Sequence, residues 1–458
     1  MARPVSRARR AAALLAASGL LAAAGRAAEG SSPARDPRPN VVIVLTDDQP
    51  WWTIPHDPPP MPWLQARLED PADHWVRFPL AFVNVPLCCP SRASLLTGRY
   101  AHRTGVLTNR DGARLDERDT IAVRLRDAGY HTGYVGKYLN GYPFGRGPYV
   151  PPGWDRWTAK WQGSGATVYL DHVLIEDGLA VRHGSSPGDY LTDVLASRAV
   201  RFVREAPRDR PFLLVFAPTA PHAPWMPAPR HEGTFLAADF PDPPSFDLAD
   251  VGDGPGWVRA LPRLPDPGGL RAVRRDAAEA LLAVDEAVRA IVEALRARGD
   301  LERTAIFVLT DNGAAFGEHR WVGKGCPYDE CARIPFLVRL PGARPGARPD
   351  LASVVDVAPT VAELAGVPLP GADGRSLLPA LEGRPAPPRP GVLLEWAGDP
   401  TIPAWWAVRT PSSLYVEYAT GERERYDLRR DPWALRNLAG RDPAADRSLA
   451  ALLRSLRG

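Results

Sequence analysis

Cysteine is scarce in this chain of 458 residues, occurring only at positions 88, 89, 326 and 331. That number excludes the framework of a small disulfide-stapled protein, and no C-x-x-C pair offers zinc-site spacing. Cys326 and Cys331 are close enough in sequence to bridge. Also missing is an apolar run of the roughly 20 residues that a transmembrane helix needs. The alanine-rich stretch 11–24 is too short, so no stable membrane insertion is expected. Neither sign of charge dominates: 56 Lys and Arg stand against 53 Asp and Glu. Arg3, Arg7, Arg9, Arg10 and Arg26 all precede the first acid, Glu29, and the remainder is close to neutral. With no basic patch, nucleic acid is not an expected partner.

The chain opens on a pattern of export. Residues 1–28 read as a signal peptide, with an arginine-rich start, an apolar middle and small residues at a cleavable end. The protein is therefore expected to be secreted or to reside in the cell envelope or periplasm. A Pro/Ser linker follows at 29–37, then a large domain over 38–384 and a smaller α+β subdomain over 391–458, with a proline-rich joint at 385–390.

Within the large domain, strand and helix patterns alternate, which predicts an α/β fold. Residues 41–45 and 305–309 are continuous β-branched or apolar runs, the pattern of strands buried on both faces. Further strands are expected at 131–135, 211–217 and 334–340, and helices at 120–130, 190–205, 277–298 and 356–365. A hairpin pairing 167–170 with 179–183 is expected around Glu176-Asp177-Gly178. After the joint, short strands at 391–395, 405–409, 413–418 and 424–427 suggest a small antiparallel sheet, with helical segments near Leu435 and over 446–456. The fold expected is thus a large mixed, mostly parallel sheet sandwiched by helices, plus a small C-terminal antiparallel sheet with a helix.

Several polar residues fall where such strands end. The first run finishes in Thr46-Asp47-Asp48 and the later one in Thr310-Asp311-Asn312. Ligands of open parallel sheets bind beyond these ends. Clustered carboxylates there would repel unless a cation sat among them, and three carboxylates with an amide oxygen suit Ca²⁺ or Mg²⁺ better than zinc. Lys137 follows the strand at 131–135. His222 lies on a proline-stiffened loop, Pro221-His222-Ala223-Pro224. Cys88 stands at the start of a helix that Pro90 opens and Gly98 closes, where anions are favoured.

The segment Cys88-x-Pro90-Ser91-Arg92-x-x-x-Leu96-Thr97-Gly98-Arg99 resembles the motif of the type I sulfatases, of the alkaline-phosphatase-like superfamily, at every fixed position. The resemblance implies that Cys88 is oxidised by a maturation enzyme to Cα-formylglycine, whose hydrate is the nucleophile. It implies that Asp47, Asp48, Asp311, Asn312 and the modified Cys88 hold the metal, Ca²⁺ first and Mg²⁺ as the alternative. Arg92 would steady the nucleophile, Lys137 and Lys324 would bind sulfate, and His222 would protonate the leaving oxygen. His319 is a candidate either for binding the substrate or for standing behind the groups that do. Many members carry His two positions after the lysine; here that position is Leu139, so that proton-transfer role has no owner. The Gly136-Lys137-Tyr138-Leu139-Asn140 segment is similar to the N-acetylglucosamine-6-sulfatase branch, which points to a sulfated saccharide, 6-O-sulfated glucosamine first. Trp225 and Trp257 are candidates for a sugar-stacking wall. Alternatives are an arylsulfatase, a phosphonate or phosphate ester hydrolase using the same formylglycine, or a non-catalytic sulfated-glycan-binding protein.

Overall fold

A computed structural model describes Met1 and residues 36–162, 168–238 and 240–458. The expected signal peptide and most of the linker lie outside the described residues. Ten strands form the main sheet, in the order Gly346–Ala347, Trp75–Arg77, Phe336–Arg339, Thr304–Thr310, Asn40–Thr46, Phe212–Ala217, His131–Gly136, Arg156–Lys160, Val173–Glu176 and Leu179–Arg182. The five from Thr304–Thr310 to Arg156–Lys160 are mutually parallel; Phe336–Arg339 and the Val173–Glu176 and Leu179–Arg182 pair run antiparallel to their neighbours.

Alternation along these strands builds two cores. Val41, Ile43, Leu45, Leu213, Val215, Ala305 and Phe307 face one side, where helices Cys88–Thr97, Ile121–Asp127 and Val357–Ala365 pack. Val42, Val44, Leu214, Phe216, Ile306 and Val308 face the other, against helices Leu191–Glu205 and Pro267–Arg298. Every residue of Asn40–Thr46 and Thr304–Thr310 is buried, as continuous apolar strands require.

The small sheet takes the order Val392–Trp396, Trp405–Arg409, Ser413–Tyr418 and Arg423–Asp427, all antiparallel. One face, with Leu394, Trp405 and Val416, packs on Phe82, Cys326 and Tyr328 of the large domain. The other, with Leu393, Val408 and Tyr415, is covered by Ala450 and Leu453 of helix Pro443–Arg457. Cys326 and Cys331 are disulfide-bonded near this junction.

Three expectations are corrected. The hairpin pairs Val173–Glu176 with Leu179–Arg182; Thr167 lies outside the described residues, and Val168 to Leu170 form bends instead. Val173, Leu174 and Ile175 are all buried and supply the inner strand of the hairpin. The long helix begins at Pro267, ten residues before Ala277: Asp266 caps it by accepting from Gly269 N at 2.9 Å, and Pro267 suits the first helical position, so the Gly268-Gly269 pair is helix rather than loop. Leu435 lies outside any helix, and the final helix starts at Pro443, capped by Asp442.

Candidate active site

The register of the parallel strands assembles the site. Thr46 pairs with Thr310, so Asp47-Asp48 and Asp311-Asn312 emerge side by side. Asp47 bridges onward to Pro221, which brings His222 to the same edge. Gly136 pairs with Ala217, and Lys137 N donates to Ala217 O at 2.8 Å. Only glycine fits at 136: its φ is +133°, and a Cβ would stand 2.0 Å from the Ala217 carbonyl oxygen. Asp48 is itself in the left-handed region, with φ 65°, a strain that clusters at functional sites.

Cys88 is the first residue of helix Cys88–Thr97, all ten residues of which are buried. Its Sγ lies 3.4 Å from Asp47 Oδ1 and 3.8 Å from Asp48 Oδ1, and accepts from Lys324 Nζ at 2.8 Å. One turn on, Arg92 donates from Nε to Asp311 Oδ2 at 2.7 Å and from Nη1 to the Lys137 carbonyl at 2.5 Å. Lys137 Nζ meets Asp47 Oδ2 at 2.5 Å, and Lys324 Nζ meets Asp48 Oδ1 at 2.6 Å. His222 Nε2 is 3.7 Å from Asp48 Oδ2, while its Nδ1 is fixed on Ala223 O at 2.7 Å.

Three carboxylates and three permanent cations therefore share one desolvated pocket, and their charges sort themselves by neighbours. Burial opposes the charge of Asp47, yet Lys137, His222, Arg92 and Lys324 hold its carboxyl well below the ordinary range. Burial and then Asp47 push Asp311 up to about 6. Burial opposes the charge on Lys137 and Lys324 too, but the aspartates and Cys88 keep both ammonium groups above their usual range. Burial drives the Cys88 thiol upward, so as a plain cysteine it stays protonated and is a poor nucleophile.

The donor set fits a hard divalent cation. Ligand atoms of Asp47, Asp48, Cys88 and Asp311 all lie within 4.8 Å of one another. Asn312 Nδ2 donates to Asp48 Oδ1 at 2.7 Å, and its Oδ1 is buried with no hydrogen-bond partner among the described residues, an acceptor left over for a cation.

The structure thus brings together Asp47, Asp48, Cys88, Arg92, Lys137, His222, Asp311, Asn312 and Lys324. It does not bring in His319, which is buried and stacked on Tyr328 with ring centroids 3.9 Å apart. Burial lowers that imidazole to about 3, so it packs as a neutral aromatic rather than as a substrate ligand. Trp257 is no sugar platform either: it is buried, and its Nε1 donates to Tyr418 OH. Trp225 packs beside Phe316 and is partly exposed. Leu139 is fully buried in the apolar core, so no proton carrier stands at that position. Two tyrosines escaped the sequence reading. Tyr134 OH donates to Lys137 O at 2.5 Å and Tyr169 OH to His222 O at 2.6 Å. Both hold backbone carbonyls, which leaves no motif in the chain.

A family model described as Sulfatase matches residues 39–367, and one described as N-sulphoglucosamine sulphohydrolase, C-terminal, matches residues 317–457. The chain is 33% identical over 375 residues to an extracellular sulfatase SULF-1 homolog of Drosophila melanogaster, covering 78% of this chain and 33% of that protein. It is 33% identical over 457 residues to the N-acetylglucosamine-6-sulfatase of Capra hircus, covering 88% of this chain and 80% of that one. A solved structure of a protein in complex with its substrate D-glucosamine-2-N,6-O-disulfate aligns with TM-score 0.79 at 25% identity, over 91% of this chain and 97% of that chain.

Proposed function

Because the chain belongs to the sulfatase family, we propose that it hydrolyses the sulfate monoester of a sulfated saccharide, with 6-O-sulfated glucosamine as the favoured substrate. The observation that carries the reading is the seat of Cys88, at a helix start between the Asp47 and Asp48 carboxylates and the Lys324 ammonium. The substrate class is supported by the goat relative's name and by the disulfated glucosamine in the solved neighbour.

Residue 88 would act as formylglycine, made by a maturation enzyme, and its aldehyde hydrate would supply the attacking oxygen and later release sulfate. Ca²⁺, or Mg²⁺ in its place, would be held by Asp47, Asp48, Asp311, Asn312 and residue 88, and would supply Lewis acidity. Lys137 and Lys324 bind the sulfonyl oxygens, on which charge builds as the ester bond stretches. Arg92 holds Asp311 and the Lys137 carbonyl in place. His222, with Nδ1 anchored on Ala223 O, directs Nε2 to the leaving oxygen and delivers a proton.

Export rests on residues 1–28, and among the described residues no helix is long and apolar enough to cross a membrane. The test is mass spectrometry of the peptide carrying residue 88 from active enzyme, beside turnover of N-acetylglucosamine-6-sulfate, 4-nitrophenyl sulfate and 4-nitrophenyl phosphate. Formylglycine at 88, with faster cleavage of the sugar sulfate than of the phosphate ester, is expected. An ordinary cysteine in the active protein, or preference for the phosphate, would overturn the reading.

A further inference from the structure

The chain contains three lysines, at 137, 160 and 324; every other one of its 56 basic residues is arginine. Two of the three meet the Asp47 and Asp48 carboxylates. The third ends the fifth parallel strand, Arg156–Lys160, in which Ala159 pairs with Gly136. Lys160 therefore closes its strand beside Lys137, at the same edge where Asp47, Asp311 and Lys137 follow theirs. Adjacent strands lie about 4.8 Å apart, so the two lysine backbones are close neighbours at the substrate-facing end of the sheet.

Lys160 differs from its two counterparts in having no carboxylate partner among the described residues. It is half-buried, and its ammonium makes no ion pair or hydrogen bond among the described residues. The residues at 163–167 are Gly-Ser-Gly-Ala-Thr and carry no acid. Burial, and then repulsion from Lys137, lower its ammonium to about 8, while Asp47 pulls the other way. Its charge is thus within reach of the site's own. Nearby His172 supplies no negative charge: burial and neighbouring positive charge, His183 and then Lys160, lower that imidazole to about 4 and keep it neutral. A half-buried ammonium with no partner among the described residues is an unfavourable feature that a fold normally satisfies. Here the fold leaves it open beside the sulfate-binding lysine.

We propose that Lys160 is a specificity-determining residue that binds a second anionic group of the substrate, carried on the sugar whose sulfate ester sits at Lys137 and Lys324. The inference rests on the sulfated-saccharide reading above and narrows it to saccharides with two anionic groups. Lys137 and Lys324 are held by aspartates and serve the ester that is cleaved; Lys160 has its charge free for a neighbouring sulfo group. A charge-assisted contact of this kind is worth about tenfold or more in affinity.

The test compares D-glucosamine-2-N,6-O-disulfate with N-acetylglucosamine-6-sulfate in the matured enzyme and in Lys160→Met and Lys160→Arg. The expected kcat/KM ratio of disulfate to monosulfate is about ten or more in the parent, collapses toward one in Lys160→Met through KM, and returns in Lys160→Arg. Calorimetric binding of the two sugars to Cys88→Ala, with and without Lys160→Met, gives the same comparison without turnover. If the matured enzyme cleaves neither sugar while Cys88→Ala prefers the disulfate through Lys160, the substrate reading falls and the role of Lys160 stands. A ratio and a binding preference that Lys160→Met leaves in place, or equal losses on both sugars, overturn the role of Lys160.

Discussion

Arg92 ties two strand ends together: its Nε donates to Asp311 Oδ2 at 2.7 Å and its Nη1 to the carbonyl of Lys137 at 2.5 Å. Both side chains are buried, with Arg92 only 2% exposed and Asp311 fully enclosed. Arg92→Ala leaves Asp311 beside Asp47 without its main partner. Breaking a buried pair in this way costs about 3–5 kcal/mol. The misplaced Lys137 should lower kcat/KM by about a hundredfold. Arg92→Lys should recover little, since one ammonium cannot make both contacts. Urea unfolding and saccharide turnover measure the two effects, and full activity in Arg92→Lys would contradict the strut.

The close approach of Gly136 to Ala217 makes a second prediction. In Gly136→Ala the new methyl would meet a carbonyl of the neighbouring central strand at 2.0 Å, in a backbone conformation that alanine disfavours. Neither strand can yield, because Phe212–Ala217 is paired on both sides. Either the protein fails to fold, or Lys137 moves off Asp47. Thermal unfolding and sulfate inhibition distinguish these outcomes from the unaltered stability and unaltered sulfate binding that would refute the constraint.

These two positions also mark what the sequence discloses. Buried strands announce themselves by unbroken β-branched runs, and their ends place Asp47, Asp48, Asp311, Asn312 and Lys137 without any knowledge of register. The Cys88 motif is local and so fully legible. His319 was misplaced because a histidine's neighbours in space, here Tyr328, are invisible in the chain. Trp257 failed for the same reason: an aromatic residue in a loop reads equally as a platform or as the packing between two sheets. Tyr134 and Tyr169 act through backbone carbonyls, which any residue supplies, so no pattern betrays them.

His222 leads to a prediction about leaving groups. Its Nδ1 is committed to Ala223 O and its Nε2 faces Asp48, so Nε2 is the atom that can transfer a proton. Replacing it by Gln keeps the shape and removes the acid. Cleavage of a sugar sulfate, whose alkoxide needs protonation, should fall about 10²–10⁴-fold. Cleavage of 4-nitrophenyl sulfate, whose phenolate leaves unaided, should fall far less. Equal losses on both substrates would assign His222 to binding instead.

Removal of the cation should be visible without turnover. The carboxylates of Asp47, Asp48 and Asp311 and Asn312 Oδ1, which has no partner among the described residues, would hold a cation only in the folded chain. Ca²⁺ at a hundred times its dissociation constant should stabilise the fold by about 2.7 kcal/mol. Excess chelator should lower the unfolding temperature and Asp48→Ala should abolish the Ca²⁺ response. A Ca²⁺-independent melting curve in the parent, after exhaustive chelation, would remove the metal from the account.

Away from the site, Asp285 on the long helix accepts from Trp63 N at 2.7 Å and Leu64 N at 2.9 Å, capping the start of helix Pro62–Glu69, whose own preceding residue, Met61, supplies no side-chain cap. Asp285→Ala orphans both amides and should cost about 2 kcal/mol. Burial lifts the Asp285 carboxyl to about 6, although the two amides favour its charge. Its folded value lies above the unfolded value of about 3.9, so the native state binds the extra proton between those two points. Its contribution is complete below about pH 4 and declines as pH rises through about 6. The stability difference between the parent and Asp285→Asn should therefore shrink by about 2 kcal/mol from pH 4 to pH 7. Urea unfolding across that range measures it, and a difference that holds constant or grows with pH would show that the capping carboxylate stays charged throughout.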